Sequence, residues 1–298
     1  MTGHTDTPAM PDAPASKTPP VAPARRLRRR SRWTAARLFV GAAFTLAVAI
    51  GAGLLIGLAL SQEPPAWWSS VDGASPAVVE AALRVENGAA TQLTKIRAES
   101  SPSPDGSMPV PKPWTIALKA SDANAWLAAR LRPWLESQDG APFRWPEELR
   151  QVQVEFRGGS ILIGASVSPA GGATTGDGRA SQVLAAALTP EFRDDGSLWM
   201  PARRVGLGRL SLPASWMLSP GAGGAATLTG AAVPENLARM PEAKDVLAAL
   251  TGRIAVMQTP IVRIGDGRRV RLIDLQARDG VLLITCETLA RETSRAEK

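Results

Sequence analysis

QVQVEFRGGSILIGASV, residues 151–167, decides the fold. Val152, Val154 and Phe156 alternate with Gln151, Gln153, Glu155 and Arg157. That is the period of two expected of a strand with one buried face. Gly158-Gly159 is a two-residue turn able to take positive φ at both positions, and residues 161–167 return as the partner strand.

Further hairpins extend the pattern toward the C-terminus. Residues 183–188 and 198–212 are expected to pair across the turn Asp194-Asp195-Gly196, after a Gly/Thr-rich loop at 169–178. A Gly/Ala loop at 219–232 leads to a helix over 234–250, punctuated by Pro241. Residues 261–264, 270–277 and 281–289 read as a meander turning at Gly265-Asp266-Gly267 and Asp279-Gly280. On the N-terminal side, residues 114–118 read as a strand. Ser121 is expected to cap a helix reaching about Leu135, with Ala123, Leu127, Leu131 and Trp134 along one face, and Pro146 closes the following loop. Short hairpins without βαβ spacing place the chain in the α+β class: a mostly antiparallel, curved sheet of seven or eight strands packed with two or three helices.

Upstream, the Pro/Ser-rich stretch 100–113 reads as a linker, and Ser75-Pro76 opens a helix over 76–98 that carries the chain away from a membrane. That membrane is implied by residues 38–60, an uncharged apolar run preceded by Arg25, Arg26, Arg28, Arg29, Arg30, Arg32 and Arg37. Roughly 20 apolar residues in a helix cross a hydrocarbon core of about 30 Å. Arginines flanking a span stay on the cytoplasmic side, so the N-terminus is expected inside and the C-terminal body outside. Arg28, Arg29, Arg30 and Arg32, with Trp33 before the run and Trp67-Trp68 after it, are the expected membrane-interface residues. A cleaved signal peptide is the rival reading, but the run exceeds the usual apolar core of one, and Ala59-Leu60-Ser61 is a weak cleavage signal. Gly53 and Gly57 form a small-xxx-small pattern that could pair two helices, in a segment where alanine and glycine are common. The expected organisation is a disordered basic cytoplasmic tail (1–37), a transmembrane helix (38–60), a juxtamembrane helix and linker (61–113), and an extracytoplasmic α+β domain (114–298).

Charge supports this division. Residues 1–37 hold eight of the 34 basic and two of the 27 acidic residues, so the remaining 26 and 25 leave the body at +1 out of a net +7. Nucleic acid is excluded as an expected partner, because phosphate binding needs a basic folded surface. The tail fits an anionic inner leaflet, where each arginine gains roughly 1 kcal/mol. Residues 1–24, rich in Pro, Ala, Thr and Ser, hold too little apolar surface to order.

The inventory narrows the chemistry further. His4 is the single histidine and lies in the tail, and the chain has no tyrosine. Histidine-based hydrolytic triads and zinc sites are therefore not expected in the body, and neither a metal nor another cofactor is implied. Cys286, within the apolar run 281–286, reads as a buried thiol. Gly206-Leu207-Gly208 lacks the later glycine of a dinucleotide fingerprint. Asp194, Asp195, Glu147 and Glu148 are the carboxylates a hydrolase would use, yet they sit at turns and an element boundary, as do Asp266 and Asp279. The body is expected to be non-catalytic, with a carboxylate-dependent hydrolase as the enzyme alternative.

Tryptophan is the more suggestive residue. Trp114, Trp126, Trp134, Trp145, Trp199 and Trp216 lie in the body. They serve either as core packing or as the lining of an apolar groove between the 121–135 helix and the sheet. In the second reading the site comprises Trp114, Trp126, Leu127, Trp134, Trp199 and Trp216.

The stretch 118–131, in the run ALKASDANAWLAARL with Asn124 in an Asn-Ala-x-Leu setting, and the stretch 152–213, a hairpin followed by LTPEFRDDGSLWMPARRVGLGRLSLP, resemble the YpmS-like single-span bacterial envelope proteins. The likeness covers about a third of the chain and carries no catalytic residues. It implies a bacterial cytoplasmic-membrane protein with an anchored extracytoplasmic domain related to lipid-handling folds. The Pro-rich tail and the long Gly-rich loops depart from that pattern. The functional expectation is a module that binds a lipid or other apolar ligand, the alternative being a factor that docks an envelope protein during assembly.

Overall fold

The computed structural model describes residues 28–95, 112–137, 145–168, 181–218, 241–264 and 268–289. The expected disordered tail over 1–24, most of the 100–113 linker, the loops at 169–178 and 219–232 and the Gly265–Gly267 turn lie outside them, as does the start of the 234–250 helix. The chain divides into two units, Met1–Leu54 and Leu55–Lys298. Helix α1 (Arg28–Gln62) begins ten residues before the apolar run and takes in Arg28, Arg29, Arg30, Arg32 and Trp33. Its segment Phe44–Gln62 is the one helix among the described residues long and apolar enough to cross a membrane.

The second unit is α+β and its strand pairs are all antiparallel. One sheet has the order β1 (Trp114–Lys119), β11 (Val281–Leu289), β10 (Arg269–Arg278), β9 (Ile261–Arg263). The expected C-terminal meander forms, and β1 adds to it by pairing Trp114 with Cys286 and Lys119 with Val281. The other sheet runs β2 (Leu149–Arg157), β3 (Ser160–Val167), β4 (Gln182–Leu188), β7 (Ala202–Leu207), β8 (Leu210–Pro213). A two-stranded ribbon, β5 (Glu191–Phe192) with β6 (Leu198–Trp199), stands apart from both.

The β2–β3 hairpin turns where the glycine pair predicts, with Gly158 at φ 53° and Gly159 at φ 78°. Residues 198–212, expected as one strand, break into three. Asp194–Gly196 turns the β5–β6 ribbon, β4 pairs directly with β7, and Gly208 at φ 57° reverses the chain into β8. Positive φ at the first turn residue is what a tight two-residue hairpin demands of glycine.

The helix expected from Ser121 to Leu135 also divides, into α3 (Ala120–Ala129) and α4 (Leu131–Glu136). Arg130 sits between them at φ −122°. Pro133 lacks an N–H and its ring collides with the carbonyl four residues back, so the helical hydrogen-bond ladder fails at this point. Ser121 supplies no cap: α3 starts one residue earlier, after Lys119.

The core lies where α3 meets both sheets. Phe156 (2% exposed), Ile161, Ala120, Ala123, Ala277 and Leu282 form it, with Leu118, Val154, Met200 and Ile284 packed around them. Two hairpin turns are tied together at its rim. The Gly159 amide donates to the Ala277 carbonyl (3.0 Å) and the Gly280 amide to the Phe156 carbonyl (2.8 Å).

Helix α2 (Pro76–Thr94) does not carry the chain away. It packs along α3 with Ala82 fully buried, so residues 61–95 belong with the body rather than apart from it. Val79 and Leu83, at helical spacing on α2, are exposed, whereas Ala82 and Glu86 face α3. Small alanines on both helices allow the close approach that bulkier residues would block. After α5 (Ala214–Met217), the described chain resumes with α6 (Pro241–Leu250), and residue 257 bridges back to Leu198.

Candidate functional site

The expected apolar groove is not assembled. Trp114, on β1, donates its indole N–H to Thr288 (3.3 Å). Trp126 on α3 donates to Glu86 Oε1 (3.1 Å) and meets Trp134 edge to face at 6.0 Å. Trp134 itself is 50% exposed, and Trp216 on α5 is 65% exposed. Trp199 donates to Ser197 Oγ (2.7 Å) beneath the Arg193 guanidinium, which lies 3.3 Å from the ring centre. Leu127 lines a different cavity. Of the six, Trp126 and Trp134 form a ring–ring pair. Periodicity and composition mark tryptophans as packing residues but do not say which neighbour each will find.

Of the expected carboxylates, Asp195 has a structural use. Asp195 accepts from the Ser197 amide (2.9 Å) and hydroxyl (2.5 Å), and these bonds hold its carboxyl below the usual aspartate range. Asp194 is exposed at the same turn. Glu147 and Glu148 lie before β2, on a polar cavity of about 690 Å³ that also takes in Arg132, Arg150, Ser168 and Ser181. Cys286 is buried on β11. Among the described residues, no group of three His, Cys, Asp or Glu side chains is placed to hold a metal ion.

A site that the periodicity did not announce lies on the glutamine face of β2. Residues 63–71, which follow α1, cross this face of the second sheet. The Gln153 side chain, 1% exposed, accepts from the Ser69 amide (3.2 Å) and donates to the Ser69 carbonyl. Gln151 donates to the Val71 carbonyl (3.1 Å). A side-chain amide has one acceptor and one donor end, so it can take the place of a neighbouring strand. Both faces of β2 are therefore covered, although its sequence pattern is that of a half-buried strand.

The next strand explains why the segment fits. Gln153 pairs with Gly164, Gly164 with Ala185, Ala185 with Gly206, and Gly206 with Ser211, a row of small residues across the sheet. Trp67 and Trp68 rest on this row: a Cβ at Gly164 would come within 2.7 Å of the Trp67 ring and 2.9 Å of the Trp68 ring. Both indoles are half-buried against protein.

At the far end of the row, the β7–β8 turn receives the last turn of α1. The Arg209 amide donates to the Leu60 carbonyl (2.8 Å), and its guanidinium pairs with Glu63 at 2.6 Å. A Cβ at Gly208 would lie within 2.4–2.7 Å of the carbonyl oxygens of Ser61, Glu63 and Leu60. A cation at a helix C-terminus also complements the helix dipole, by about 0.3–1 kcal/mol. Between Trp67 and this turn lies a cavity of about 360 Å³. Pro65, Trp67, Leu162, Ala185 and Ala187 give it apolar walls, and Arg204, Arg209 and Ser211 give it polar ones. Arg204 is exposed and has no ion-pair partner among the described residues.

Asn124, the marked residue of the Asn-Ala-x-Leu run, has a positioning role. Its side chain donates to the Val154 carbonyl (2.9 Å) and accepts from the Val154 amide (2.7 Å), closing the outer edge of β2 against α3. Unpaired edge groups invite pairing with other chains, so the amide also blunts that edge. No known protein family matches the chain, and no curated protein or solved structure gives a significant match.

Proposed function

We propose that this chain is a single-span membrane protein whose body, on the outer side of a bacterial cytoplasmic membrane, binds a lipid or other apolar ligand without chemical conversion. The cavity under Trp67 carries this reading. It shares Gly208 and Arg209 with the seat of the apolar helix, so a span ending at Gln62 puts the cavity at headgroup level. Apolar walls with a few polar groups are the usual make-up of a ligand cavity, and about 360 Å³ is near the small end of their range. The arginines at the start of α1 favour an inward N-terminus.

Native mass spectrometry of the full chain, released from native membranes in mild detergent, tests the reading. Bound lipid or another apolar ligand is expected in the wild type and is expected to be lost in Ala187→Phe, which fills the cavity. Ligand-free wild-type protein rejects it.

The larger cavity supports a second reading. Its charged and hydroxyl lining, from Arg132 and Glu147 to Ser181, suits a polar segment of an envelope protein better than a lipid. A photocrosslinker placed at Arg150 and recovering only the monomer in cells counts against that assembly role.

A further inference from the structure

We infer that the cavity beside the helix seat selects an anionic phospholipid, with Arg204 and Arg209 holding its phosphate. The inference rests on the ligand-binding reading above and adds the charge class of the ligand. Two guanidinium groups line one small cavity, and Ser211 adds a hydroxyl beside them. Arg204 sits on β7 opposite Ala187, on the face that carries the cavity, and no carboxylate of the described residues pairs with it. Its neighbour Arg203, by contrast, is paired with Glu191 at 2.9 Å.

Arg209 is held in place by Glu63 through one nitrogen, Nη1. A guanidinium carries five N–H donors, so the others remain for a phosphate. Glu63 thus orients the group, and Arg204 supplies the uncompensated charge. A planar cation suits a phosphate through paired hydrogen bonds.

The apolar part of the cavity chooses between sources of phosphate. Inorganic phosphate would leave Leu162, Ala185, Ala187 and the Trp67 ring in contact with water. A phospholipid places its glycerol and first methylenes there, while the rest of its acyl chains stay in the bilayer. The volume suits that part of a lipid and is too small for a whole one. Because Gly208 and Arg209, in the cavity wall, also touch the last turn of the apolar helix, such a lipid needs no extraction from the membrane.

The test uses the full chain in nanodiscs made of equal phosphatidylcholine and phosphatidylglycerol. Lipids retained after release into detergent are identified by mass. The wild type is expected to retain phosphatidylglycerol about tenfold over phosphatidylcholine: both carry the phosphodiester, but the choline cation sets a like charge beside the two guanidinium groups. Arg204→Gln is expected to bring the ratio close to one, Arg204→Lys to restore part of it, and Arg203→Gln to leave it unchanged.

Retention of both lipids alike, or an unchanged ratio in Arg204→Gln, overturns the charge selection and leaves the apolar-ligand reading standing. No retained lipid in the wild type overturns both. Inorganic phosphate that binds the lipid-free protein and displaces phosphatidylglycerol overturns the lipid as the source of the phosphate.

Discussion

At the scale of single residues, amide side chains do work that hydropathy does not record. Asn124 and Gln153 each satisfy a backbone N–H and C=O of a segment distant in sequence, at Val154 and Ser69. An unsatisfied buried polar group costs about 1–3 kcal/mol. Asn124→Leu, which strands two such groups, is expected to cost about 2 kcal/mol or more in urea unfolding, and Asn124→Asp less, because it keeps the acceptor. Glu86 is the residue with a pH signature. The Arg130 guanidinium hydrogen-bonded to it, and secondarily the Trp126 indole, hold its carboxyl below the usual glutamate range, against the opposing effect of desolvation. A depressed carboxyl stabilises the fold above its unfolded pKa and loses that contribution as pH falls through the folded one. The melting-temperature gap between wild type and Glu86→Gln is therefore expected to be constant near neutral pH and to close in acid below the ordinary glutamate range. A gap independent of pH would refute the assignment. Asn124 was legible in the sequence only as a marked position, and Gln153 read as one residue of an alternating polar face. An amide's partner lies elsewhere in the chain, so local pattern cannot announce it.

At the scale of elements, glycine decides which surfaces touch. The turn role of Gly158-Gly159 was readable from the pair itself, since positive φ at two successive residues is a local demand. Gly164 and Gly208 were not readable, because what they accommodate, Trp67 and the end of α1, comes from about 100 residues or more earlier in the chain. Gly208→Ala adds a Cβ against three carbonyl oxygens at a positive φ. It is expected to speed hydrogen exchange at the Arg209 amide while exchange in β10 and β11 stays slow; unchanged exchange at Arg209 would show that the helix seat tolerates the methyl. Gly164→Val is expected to lift the Trp67-Trp68 indoles from β3, shifting tryptophan emission to longer wavelength at a cost of about 1–3 kcal/mol, the range for overpacking. The split of the 121–135 helix follows the same logic in reverse. Pro133 was visible in the sequence, and the break at Arg130 is its direct consequence.

At the scale of the whole molecule, two antiparallel sheets share one core at Phe156, where truncation to alanine is expected to cost about 3–5 kcal/mol. The proposed placement of the chain in a membrane has its own test. Intact protein is expected in the membrane fraction after carbonate washing, with the body cleaved by protease added outside spheroplasts; intact protein in the cytosol would refute the span. Sequence by itself determined the apolar run, the charge asymmetry around it, the antiparallel hairpins and the inventory with His4 as its one imidazole. Each of these is written in composition or in neighbours a few residues apart, through hydropathy, a period of two and the φ that glycine permits. Tertiary structure alone decided that α2 packs on α3, that the glutamine face of β2 is covered, and that Trp67 closes a cavity with Arg204 and Arg209. Those outcomes join residues some 40 to 150 positions apart, and close packing of side chains, which no local pattern encodes, selects among the pairings that composition allows.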